Sequence, residues 1–221
     1  MKKFCFLFLL IFPVFLFSEG ILKISNLLSK IDDFNKNKSM KGYISLSIDS
    51  NTKKGYFIYQ YPDKLKIFFG PEVVREEDKD SYSFVVTNGE VIWIYLPQYM
   101  VLIEQVIPEY FKRVGFIQGD IKKLILSYEI VDLKYSEDNK FYIISAEKPK
   151  NNIPFYKVVF NVSPDGFVFK TLYYIQKENR IITISIEKYG IKEYEPNPND
   201  FVVKPSGDMQ VLRNVLFSYK K

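Results

Sequence analysis

From residue 41 to residue 189, apolar and polar positions alternate in short runs separated by turn residues. Leu65, Ile67 and Phe69 alternate with Lys64 and Lys66. Ile44, Leu46 and Ile48 alternate with Ser45, Ser47 and Asp49. Ile182, Ile184 and Ile186 alternate with Thr183, Ser185 and Glu187, and Tyr156, Val158 and Phe160 share one face. A period of two puts one set of side chains on a buried face and the other in water. The pattern predicts eleven strands, at about 41–49, 54–61, 64–69, 81–87, 90–96, 99–104, 129–135, 139–147, 154–162, 167–176 and 180–189. Pro62-Asp63, Glu137-Asp138-Asn139, Ser163-Pro164-Asp165-Gly166 and Lys177-Glu178-Asn179 mark turns, and Asn88-Gly89 is expected to form a two-residue hairpin turn. The charge run Arg75 to Asp80 reads as a solvated loop.

Three segments change period. Ile21, Ile24, Leu27, Leu28, Ile31 and Phe34 fall at helical spacing. Ile121, Leu124, Ile125 and Tyr128 form a shorter stripe, with Asp120 placed to cap it. Met209, Leu212, Val215, Leu216 and Tyr219 predict a C-terminal helix over 208–219. Strands in sequential order with helices only at the start, middle and end are not a βαβ pattern. The expected fold class is mainly β (α+β): an unclosed antiparallel β-barrel of about eleven strands, with short helices as a lid over an apolar concave face. For the first helix taken by itself, the stripe favours an ordinary core-packing element over a lid.

The N-terminus is set apart. Lys2 and Lys3 precede an apolar run from Phe4 to Phe17, and Ser18-Glu19 follows. This reads as a signal peptide over 1–18, cut after Ser18, leaving a single domain over 19–221 in the periplasm. Cleavage would remove the only cysteine, Cys5, and with Lys2 and Lys3 gone the formal charge falls from +5 to +3. No Lys/Arg cluster interleaved with aromatics points to nucleic acid. The chain has no histidine, which excludes Ser-His-Asp and Cys-His catalysis and removes the commonest metal ligand. Gly115 to Gly119 lacks the Lys-Ser/Thr of a phosphate loop, and no carboxylate pair is spaced for a cleft. A non-enzymatic protein without metal or cofactor is expected. Aromatic residues, by contrast, make up 17% of the chain. Most fill a core. A single curved sheet cannot cover its own inner face, so a residual apolar concavity is expected, of the kind that takes acyl chains.

The stretch Gly55 to Pro97 carries a family resemblance. Tyr59-Gln60-Tyr61-Pro62, then Lys64-Leu65-Lys66-Ile67, then Thr87-Asn88-Gly89-Glu90-Val91-Ile92-Trp93-Ile94-Tyr95-Leu96-Pro97 resembles LolA, the periplasmic carrier of outer-membrane lipoproteins; Phe201 to Met209 resembles that family's closing pattern. The resemblance implies an unclosed barrel whose cavity shelters lipoprotein acyl chains, loaded by an inner-membrane lipoprotein-releasing transporter and delivered toward an outer-membrane acceptor by a monomer. It implies cavity positions at Leu65, Ile67 and Val85. Strand alternation adds Phe69, Ile44 and Leu46, and Phe57 and Tyr59 complete the expected lining. The lid or latch is expected at Leu27, Leu28, Ile31, Leu124, Ile125 and Tyr61. Tyr61 stands where better-known members of that family have an arginine, so it offers one hydrogen-bond donor in place of five. Two other readings fit the same pattern: a lipid- or lipoprotein-sensing regulatory module of this fold, and an adaptor β domain with a filled core.

Overall fold

The computed structural model describes residues 22–36, 39–70, 81–109, 112, 121–150, 153–175, 180–187, 192–193, 195 and 197–216. The leader expected over 1–18, the charge run Arg75 to Asp80, the expected cap Asp120 and Tyr219 lie outside the described residues. Among these residues thirteen strands form one sheet. They are β1 (Ser39–Ile48), β2 (Asn51–Gln60), β3 (Lys64–Phe68), β4 (Phe84–Thr87), β5 (Val91–Leu96), β6 (Val101–Val106), β7 (Tyr128–Ser136), β8 (Phe141–Pro149), β9 (Phe155–Val162), β10 (Val168–Ile175), β11 (Arg180–Ile186), β12 (Lys192–Glu193) and β13 (Gln210–Arg213). Helix α1 covers 22–35 and helix α2 covers Ile121–Leu126.

The sheet order is β13-β6-β5-β4-β3-β2-β1-β11-β10-β9-β8-β7, with β12 also beside β1. It is an unclosed β-barrel with short helices, as the alternation implied. Two meanders, β1 to β6 and β7 to β11, join where β1 meets β11, with Ile44 opposite Ile186 and Leu46 opposite Ile184. The eleven expected strands are all present, as β1 to β11; what was not expected is two short extra strands, β12 and β13, and β11 lying beside β1. A two-residue strand and the β1–β11 seam are set by partners far away in sequence.

The C-terminal segment is the larger correction. It is not a helix over 208–219. Residues 210–213 form β13, parallel to β6, with Leu212 opposite Ile103. The edge of β6 offers unpaired main-chain groups, and pairing them outweighs the weak helical preference of a short segment. Asn214 continues the seal. Its backbone N–H donates to Glu104 O at 2.8 Å and its side-chain oxygen accepts from Val106 N at 3.0 Å.

The Asn88-Gly89 hairpin forms one residue out of step with expectation. Asn88 N donates to Val91 O, so the two central residues are Gly89 and Glu90. Gly89 takes φ 90°, while the Asn88 side chain accepts from Glu90 N and Val91 N. Glycine at the first central position with positive φ is the II′ requirement. The expected stripe Ile121 to Tyr128 likewise ends as a helix at Leu126, and Tyr128 opens β7.

The two faces of the sheet are covered differently. On the inner face, Leu27, Leu28 and Ile31 of α1 and Leu124 and Ile125 of α2 are buried against Ile144, Phe155, Val158 and Phe160 of β8 and β9. Each such side chain contributes roughly 1.5–3 kcal/mol by burial. Lys122 of α2 pairs with Asp32 of α1 at 3.1 Å, but both side chains are about half exposed, so this ion pair adds ~1 kcal/mol at most. Apolar burial, not charge, therefore seats the helices. On the outer face, Val86, Trp93, Tyr95 and Leu102 form a separate core, covered by Phe201, Val203 and Met209 of the C-terminal segment.

Candidate functional site

The inner face is packed by both helices over β8 and β9, whereas β1 and β2 meet only the end of α1, through Phe34. Between the two regions lies an apolar cavity of about 230 Å3. Its walls come from both meanders. β1 supplies Met40 and Ile44, β2 supplies Phe57 and Tyr59, and β3 supplies Leu65 and Ile67. Phe160, Thr171, Tyr173, Ile184 and Ile186 come from β9, β10 and β11, with Val168 and Phe167 at the start of β10. Asn35 at the end of α1 and Ile121 at the start of α2 close the helical side. Register explains the convergence. Tyr59 stands opposite Leu65, Phe57 opposite Ile67, and Ile44 opposite Ile186, so every one of these side chains points inward.

The polar groups at the cavity are few. The Tyr59 hydroxyl donates to Pro62 O at 3.4 Å. Thr171 is buried, and burial pushes the Tyr173 phenol above its ordinary range. Asp63 lines the mouth. Burial raises its carboxyl from 3.8; Lys64 opposes that shift and Glu90 adds to it. Among the described residues no buried side-chain nitrogen or oxygen lacks a hydrogen-bond partner. The lining is thus mainly apolar, with Asn35, Tyr59, Asp63, Thr171 and Tyr173 as its polar members.

Of the expected cavity residues, the structure brings Leu65, Ile67, Phe57, Tyr59 and Ile44 together in the lining. Val85 and Leu46 do not line it, although they share its face: Val85 stands opposite Ile67 and Leu46 opposite Ile184. Phe69 lies past the end of β3 in a different, open cleft with Lys53, Lys54 and Tyr82. The alternation that included it holds only while the strand lasts. Among the expected lid residues, Leu27, Leu28, Ile31, Leu124 and Ile125 are buried in the inner core. They hold the helices down; the cavity itself touches only the helix ends, at Asn35 and Ile121. Tyr61 is 42% exposed and follows β2 directly. Residues 160, 171, 173, 184 and 186 were not expected at the site. The signal for them was the same alternation; what was missing was the β1–β11 seam.

Helix α1 is clamped at one point. Gly166, in the β9–β10 turn, has φ +93°, and a Cβ there would lie 2.4 Å from Lys30 O. The Lys30 ammonium donates to Pro164 O at 3.1 Å, and the Phe34 and Phe167 rings meet at 5.3 Å. The turn therefore grips the C-terminal half of α1, beside the cavity.

Fold and site together define a class: an open antiparallel β-barrel whose inner face is partly covered by helices and partly hollow. Comparison with solved structures supports this fold through one of them, the first below. A structure of an uncharacterized conserved protein from Thermus thermophilus aligns with a TM-score of 0.54 at 8% identity, over 86% of this chain and 99% of that one. A LolA superfamily protein from Nitrosomonas europaea aligns at 0.42 and 13% identity, over 81% and 97%. A putative outer membrane lipoprotein-sorting protein domain from Vibrio parahaemolyticus aligns at 0.43 and 11% identity, over 80% and 94%. No protein-family model matches the sequence, and no curated protein does. No helix among the described residues is long and apolar enough to cross a membrane.

Proposed function

We propose that this protein is a periplasmic carrier that shelters the acyl chains of lipoproteins and moves them from the inner membrane toward the outer membrane. The observation that supports it most is the inner cavity: apolar walls from two meanders, helix ends on one side, and, among the described residues, no unsatisfied buried side-chain polar atom. The sequence resemblance to LolA supports the choice of cargo. Each methylene buried there contributes about 0.8 kcal/mol, so roughly ten of them supply about 8 kcal/mol before costs of ordering. No covalent step is needed.

The volume bears on how the carrier works. At about 230 Å3 the cavity is below the ~300–1,000 Å3 usual for small-molecule sites. It suits part of one chain. Taking up a lipoprotein with several chains requires the helix ends at Asn35 and Ile121 to move off the β1–β3 face.

The test uses the chain exported and processed by an expressing cell. It is mixed with a triacylated lipoprotein without detergent, and soluble complexes are read by native mass spectrometry. A one-to-one complex, lost on Leu65→Glu, is expected. A lipoprotein that stays aggregated beside folded protein would reject the carrier reading.

A further inference from the structure

The outer face carries a second hollow, for which an acyl-chain carrier has no use. It lies between β3–β4 and the C-terminal segment, with a volume of about 540 Å3. Phe68, Phe84 and Val86 form the floor and Met209 one wall. Phe68 stands opposite Phe84 in the ladder and their rings stack at 5.7 Å. Lys66 and Lys204 also line it, with the Lys66 ammonium 5.4 Å from the centre of the Phe68 ring. A third cation, Lys64, lies 6.0 Å from the ring of Phe201 nearby. The one carboxylate in the lining, Asp200, accepts from Asn197 N at 3.2 Å, so it serves its own turn.

The wall opposite β3 has a further property. Residues 202–206 belong to no helix or strand, and Val202 is extended at φ −122°, ψ 128°. Among the described residues the backbone N–H groups of Val203 and Lys204 donate no hydrogen bond. Val202 is 51% exposed. An extended residue followed by two N–H groups that donate no bond, beside an apolar floor, offers main-chain groups to another extended chain.

The geometry points to this groove as a docking site for an extended, acidic peptide of a partner protein with an apolar anchor. The anchor rests on Phe68, Phe84 and Val86. The peptide main chain pairs with the one of these two N–H groups that faces the groove, since successive N–H groups of an extended chain point to opposite sides, and its carboxylates meet Lys66 and Lys204. The charge selects against a basic peptide, and the free amide groups select for a peptide over a lipid, which has no N–H or C=O ladder to match. The inference stands apart from the carrier reading, because the two hollows lie on opposite faces of the sheet.

The probe is a short acetylated peptide alternating aspartate with phenylalanine, with a lysine–phenylalanine peptide as control. Binding is followed by amide chemical shifts of the full mature chain. Saturable shifts at Phe68, Phe84 and residues 202–204 are expected. Lys204→Glu, at an exposed position, should weaken binding about tenfold, and the lysine peptide should not bind. A saturating fatty acid should leave the peptide affinity unchanged. Shifts confined to Ile67 and Ile186, equal binding of the two peptides, or no saturable binding would overturn the proposal. So would self-association of the chain through this groove with no peptide bound.

Discussion

At the scale of single residues, Asp63 couples the cavity to pH. Its carboxyl is raised because the mouth of an apolar cavity is a poor place for a charge. The folded state therefore favours the protonated acid. Its ionisation lowers stability as pH rises from 3.8 through the raised value, and the penalty is absent below 3.8. Asp63→Asn should raise Tm at pH 7 and leave it unchanged at pH 3. An acyl chain in the mouth desolvates the carboxyl further, so fatty-acid affinity should increase as pH falls toward 4, and Asp63→Asn should flatten that dependence. Titration of a fluorescent fatty acid at several pH values reads both. Gly166 makes a different demand. Alanine there meets both an unfavourable φ and the Lys30 carbonyl. Gly166→Ala should cost about 2 kcal/mol and lower Tm by roughly 4–8 °C. Tyr61 lies exposed at the end of β2. As the latch that the LolA resemblance implies, Tyr61 should set cargo retention, so Tyr61→Arg is expected to change the rate of fatty-acid release in stopped-flow displacement; an unchanged rate would separate Tyr61 from release.

At the scale of elements, the helices are held by burial. Ile31→Ala should cost about 2–5 kcal/mol in urea unfolding, whereas Lys122→Glu should cost about 1 kcal/mol or less. If the ion pair were the true fastener, the ranking would reverse. The same contrast shows what could be read from the chain. The alternation of Leu65 and Ile67 with Lys64 and Lys66 is a local property, and β3 formed where it predicted. The stripe through Leu27, Leu28 and Ile31 is also local, and it is a buried helix face. Met209, Leu212, Val215 and Leu216 carry an equally good helical period, yet 210–213 is a strand. The deciding fact is the open edge of β6, more than a hundred residues earlier, and no window of sequence contains it. The site was half legible for the same reason. Its β1–β3 wall follows from alternation, whereas the opposite wall depends on which strand lies beside β1.

At the scale of the molecule, the seam between β1 and β11 has a consequence in time. Each meander pairs strands that follow one another in the chain, and apart from the long β3–β4 connection their loops are short, so these pairs close early. The seam joins Ile44 to Ile186, and such distant pairing forms late. The cavity draws one wall from each side of that seam, so it does not exist in either half alone. Refolding from urea should restore strand circular dichroism before it restores binding of a fluorescent fatty acid, and binding should appear with the slowest phase. A nascent chain would thus pass through a stage with two exposed apolar sheet faces and no capacity for cargo. Cargo present during refolding should leave the rate of closure unchanged and slow only its reversal.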